Sequence, residues 1–153
     1  MTIELSRAAI HRSRKTEALV KGIILVVFFA MTLTAAATDP CATANTNLTV
    51  TQKKMYARSV SSNLTRWQPP AKIKIDKAIA MGRWIAVWAT PSGAEQGVFF
   101  YSQDADGMKF HQVWGGYATP DEKSSLVRWA KKLDSSVPKN FAECFAEMAT
   151  AGH

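Results

Sequence analysis

The sequence predicts an α+β domain: an N-terminal helix, a four-stranded antiparallel meander, two C-terminal helices and one disulfide. Three observations predict it. Apolar residues recur at helical spacing over residues 49–67, alternate with a period of two from residue 72 to 114, and return to helical spacing after Thr119. Clusters of Gly, Pro and Asp punctuate the middle section where hairpins need to turn. The chain has two cysteines, Cys41 ahead of the first helix and Cys144 within the last. With 47% hydrophobic and 20% charged residues among 153, the composition is that of a globular domain, which excludes a disordered or collagen-like chain.

Residues 1–37 have the order of an export signal. Arg7, Arg12, Arg14, Lys15 and Lys21 form a basic lead, Gly22 to Leu33 is uncharged and mostly apolar, and Ala35-Ala36-Ala37 offers small residues for cleavage. An uncleaved anchor is the competing reading, but the charge-free stretch is short of the roughly 20 apolar residues that a spanning helix needs. Lipidation of Cys41 is disfavoured by Thr38-Asp39-Pro40, where a lipoprotein signal places small and aliphatic residues. Removing residues 1–37 of 153 leaves 116, of which 38–47 form an extended arm and 48–150 one domain, with no stable membrane span. Fourteen basic and ten acidic side chains remain, so the net charge falls from +7 to +4. An exported protein of this modest charge is not expected to meet nucleic acid, and the excess favours anionic partners.

In an oxidising compartment Cys41 and Cys144 pair most simply with each other. They close a loop of about 100 residues, for which chain entropy supplies at most about 4.7 kcal/mol. That rivals the whole net stability of a small domain.

Along the mature chain, Thr49 with Gln52 makes a capping box, and Tyr56, Val60, Leu64 and Trp67 share a helical face up to the Pro69-Pro70 stop. Ile73, Ile75, Ile79 and Met81 then alternate with Lys72, Lys74, Asp76, Ala78 and Ala80, as in a strand with one face on a core and one toward water. Gly82-Arg83 turns into Trp84–Ala89, apolar on both faces and therefore central. Gln96–Tyr101 and Met108–Trp114 are the next strands, joined by Asp104-Ala105-Asp106-Gly107. In the last strand Met108, Phe110 and Trp114 point one way, Lys109 and His111 the other. After Gly115-Gly116, Thr119-Pro120-Asp121-Glu122 starts a helix with Leu126, Trp129, Ala130 and Leu133 on one stripe. A final helix aligns Phe141, Cys144, Phe145 and Met148.

Reactive groups are scarce. Of three histidines, His11 falls in the signal and His153 is terminal, leaving His111 within the domain. With both cysteines paired, no common zinc set can be assembled, and no metal or cofactor is expected. No serine sits in a Gly-x-Ser-x-Gly elbow. The carboxylate pairs Asp104/Asp106, Asp121/Glu122 and Glu143/Glu147 each have an ordinary role in a turn, a helix start or a solvated helix face. Asp104-x-Asp106-Gly107 opens like a calcium loop, but Met108-Lys109-Phe110-His111 adds no oxygen ligand. Asp121 and Glu122 oppose an anion cradle after Gly115-Gly116. Asn47-Leu48-Thr49 and Asn63-Leu64-Thr65 are formal glycosylation triplets.

The five tryptophans mostly belong between sheet and helices, some being available to a partner. Lys72, Lys74, Lys109 and His111 are the expected contact face, on one solvent-facing side of the meander. The function that follows is a small exported, non-enzymatic protein-binding module, such as a periplasmic or secreted inhibitor or immunity-type protein, with a protein partner in the cell envelope. The alternatives are a hydrolase of envelope polymer using His111 or an acidic pair, and a membrane-tethered structural subunit.

Overall fold

Thr49 starts the first helix, α1 (Val50–Ser62), through the expected capping box: its hydroxyl accepts from the Gln52 N–H at 3.2 Å, and the Gln52 side-chain oxygen accepts from the Thr49 N–H at 2.9 Å. The computed structural model describes residues 38–151; the expected signal segment and His153 lie outside the described residues. The helix ends at Asn63, whose side-chain amide donates to the Ser59 carbonyl at 2.7 Å. This local bond competes with the helical pattern before the prolines are reached. Leu64 and Trp67 therefore do not extend the helical face, and Trp67 stands in the loop before a 3-10 turn, Pro70–Lys72.

Four antiparallel strands follow in meander order: β1 (Ile73–Met81), β2 (Trp84–Pro91), β3 (Gly97–Asp104) and β4 (Gly107–Gly115). Gly82, with φ 59°, and Gly107, with φ 114°, make the reversals after β1 and before β4, where a side chain would be strained. β2 is central and almost wholly buried, as its two apolar faces require.

Both sheet faces are covered. On one, α1 sets Tyr56 and Val60 against Ile73, Ile75, Ile85, Val87 and Phe99. On the other, α2 (Lys123–Lys131) and α3 (Lys139–Thr150) set Leu126, Ala130, Phe141 and Phe145 against Ile79, Met81, Trp84, Trp88 and Phe100. The single-faced alternation expected for β1 is thus corrected: Ile73 and Ile75 face α1, whereas Ile79 and Met81 face α3. A β-bulge between Ile75 and Lys77 inverts the parity. A second bulge inverts β4. Phe100 pairs with Gln112 and Tyr101 with Phe110, leaving His111 in excess. Phe110 and Met108 consequently pack on the α1 side while Trp114 packs on the α2/α3 side, so these three do not point one way.

Cys144, buried on α3, is bonded to Cys41, 103 residues away. The segment between Cys41 and α1 touches the sheet at Asn45, which exchanges two backbone hydrogen bonds with Ala80 on the outer edge of β1, at 2.9 and 3.0 Å. Among the described residues no helix is long and apolar enough to cross a membrane.

Candidate interaction face

The four residues expected to share a contact face are distributed over the sheet. Lys72 closes the 3-10 turn. Lys74 lies near the start of β1, where its amine pairs with Asp76 at 2.6 Å. Lys109 and His111 are on β4, the opposite edge strand, and Lys109 is level with Ser102 and Trp84 at the other end of the strands. Register therefore brings Lys109 close to His111 and separates both from Lys72 and Lys74.

His111 turns inward. Its Nε2 is 2.8 Å from the Ser102 hydroxyl, and its ring centroid is 4.6 Å from that of Trp84. Burial, then the charges of Lys109 and Arg83, lower its pKa below the ordinary value of 6.5, with Asp134 opposing them. The neutral ring follows from that environment. A serine–histidine pair at this distance has the spacing of an activated nucleophile. Ser102, however, is fully buried, at 0% exposure, so its hydroxyl offers no approach to a polymer or other bulky substrate. Its role in the fold is to satisfy a polar group inside the sheet.

The carboxylates are likewise occupied. Asp104 accepts from the Asp106 N–H at 3.2 Å within the hairpin. Glu122 completes a capping box with Thr119. Glu143 pairs with Lys139 at 3.5 Å, and Glu147 with Lys123. Asp76 accepts from Thr90 and Gln96, both at 2.9 Å. Burial alone would raise the Asp76 pKa, but bonds from Lys74, Gln96 and Thr90, together with the Lys74 charge, bring it below the usual carboxylate value. Among the described residues no three His, Cys, Asp or Glu side chains group to hold a metal ion.

What the sequence reading missed lies on the α1 side. From Pro40 to Ile75 the chain contains no carboxylate but six basic residues: Lys53, Lys54, Arg58, Arg66, Lys72 and Lys74. Only Lys74 of these belongs to an ion pair among the described residues. Helix α1 has no acid in its first turn, where the macrodipole favours one, and carries Lys53 and Lys54 just beyond. Lys54, Ala57, Arg58, Pro70 and Ala71 line a cleft of about 270 Å³ between α1 and the 3-10 turn. Trp67, in the loop joining them, is 68% exposed. The other tryptophans behave as expected for core residues: Trp84 and Trp88 are buried, and Trp114 and Trp129 pack against the same cluster.

The Trp67 loop is held in place without burying its ring. The Ser61 hydroxyl donates to the Gln68 carbonyl, and the Gln68 side-chain amide donates to the Ser92 carbonyl at 3.2 Å. One missed signal was the run of 36 residues, 40–75, without an acid. Predicting a helix through Trp67 hid the second, because it assigned the ring to a buried face.

No family model matches the chain, and no curated protein or solved structure matches it.

Proposed function

We propose that this protein is a small exported, non-enzymatic binding module whose partner is another protein of the cell envelope, in the manner of a periplasmic or secreted inhibitor or immunity-type protein. The observation that carries this reading is the segment from α1 to the Pro70–Lys72 turn, which holds five basic side chains without ion-pair partners among the described residues and an exposed tryptophan that the core does not use. Aromatic and arginine side chains are the residue types that most often dominate protein interfaces. The Cys41–Cys144 disulfide supports an oxidising compartment, because cytoplasmic thiols are normally kept reduced. Immobilised mature protein, beginning at Thr38 and oxidised, is expected to retain a defined protein from an envelope extract. Failure to retain one across several salt and detergent conditions contradicts the reading.

A second reading, hydrolysis of an envelope polymer, is favoured only by the Ser102–His111 contact. It requires purified protein to release soluble fragments from isolated polymer and His111→Ala to abolish that release.

A further inference from the structure

We infer that the cleft between α1 and the Pro70–Lys72 turn is the docking site for an acidic segment of that protein partner; this rests on the binding-module reading above and names the chemistry of its site. The cleft has an apolar floor and a basic rim. Ala57, Pro70 and Ala71 contribute no charge, whereas Lys54 and Arg58 project from one wall of the same cleft. Lys72 follows Ala71 at the end of the turn, outside the lining itself. An apolar side chain fits the floor while neighbouring carboxylates meet the rim, and the forked Arg58 guanidinium suits a carboxylate in a bidentate pair.

Charge complementarity selects the occupant. The α2 and α3 layer neutralises itself through pairs such as Lys123–Glu147 and Lys139–Glu143. The α1 layer has no carboxylate of its own with which to do so. A second copy of this same face would meet it with like charge, so self-association through the cleft is opposed. Preorganisation adds to the case: the loop carrying Trp67 is bonded to both α1 and the β2–β3 turn through Gln68, so little order has to be gained when the ring is covered. An anionic bilayer is the other surface that attracts lysines beside a tryptophan. A concave cleft about the volume of one or two side chains fits a peptide better than a flat headgroup layer.

The test uses the oxidised protein and two synthetic peptides, one alternating Glu with Leu and one alternating Lys with Leu, alongside vesicles of phosphatidylglycerol and of phosphatidylcholine. The acidic peptide is expected to bind and to quench or shift tryptophan emission, with affinity falling as salt rises. Lys54→Glu/Arg58→Glu is expected to weaken it by about tenfold or more, and Trp67→Ala by about tenfold. Equal binding of both peptides, or acidic-peptide binding unchanged in both variants, overturns the proposal. Capture by phosphatidylglycerol vesicles without binding of the acidic peptide overturns it in favour of a membrane surface. If the envelope partner is retained equally by wild type and Lys54→Glu/Arg58→Glu, the cleft is the wrong site and the binding-module reading survives. Loss of the partner in that variant, with its unfolding transition intact, supports both.

Discussion

The Ser102 hydroxyl and Nε2 of His111 meet at 2.8 Å at the point where β4 carries one residue more than β3. His111 lies on the same side of β4 as Lys109, the side of Ser102 and Trp84, so a histidine expected at the surface meets a buried hydroxyl because α2 and α3 cover that face.

Stability is predicted to fall on mild acidification through His111. Its folded pKa lies below the ordinary 6.5, because of burial first and the Lys109 and Arg83 charges next. Below that ordinary value the unfolded chain takes up a proton that the folded chain still refuses, so stability declines as pH drops, until the folded value is passed. His111→Gln should flatten the dependence. Urea midpoints measured from about pH 8 to about pH 5 check both the slope and its removal.

Asp76→Ala should destabilise the domain by about 1–3 kcal/mol, since Thr90 and Gln96 lose their common acceptor at the β1 bulge. The depressed Asp76 pKa predicts the opposite window from that of His111. Its contribution is present above the ordinary 3.8 and lost as pH falls through the folded value. Acid unfolding of the variant should therefore begin from a lower plateau and show a shallower drop.

Cys41→Ala/Cys144→Ala should cost up to about 4.7 kcal/mol, the chain-entropy limit for a loop of about 100 residues. Reduced wild-type protein is expected to unfold at the same denaturant midpoint as the double variant. A midpoint unchanged by reductant would show that the link from Cys41 to α3 contributes nothing.

Core and surface aromatics should separate cleanly. Phe100 makes edge contacts with Trp129, Phe141 and Phe145 and is fully buried, so Phe100→Ala should cost about 3–5 kcal/mol. Trp67→Ala should stay within about 0.5 kcal/mol of wild type. Denaturant titration of the two variants decides whether Trp67 is spared by the core.

The order of elements was legible because it is written in period and punctuation. The capping box at Thr49 and Gln52, the turn at Gly82 and the two-faced apolar run of β2 each have a local cause. Sheet faces were less legible. Ile73, Ile75, Ile79 and Met81 keep an unbroken odd parity in sequence, yet the bulge before Lys77 sends the two pairs to opposite cores. Lys77 was the available signal, a charge at a position that alternation assigns to the apolar set. In the fold its amine reaches the Met148 carbonyl at 3.1 Å and lies 4.9 Å above the Trp88 ring. Lys72 and Lys74, expected to share a contact face with Lys109 and His111, lie at the opposite edge of the sheet because strand order and register, which no single strand encodes, separate them. Only Lys72 adjoins the cleft found on the α1 side.

The most direct measurement compares the Trp67→Ala/Arg58→Glu protein with wild type for retention of the protein that the proposal expects from an envelope extract, with thermal unfolding of both recorded in the same buffer. Matching unfolding transitions with loss of the partner is the predicted result. Matching transitions with equal retention would contradict a contact role for the α1-side face.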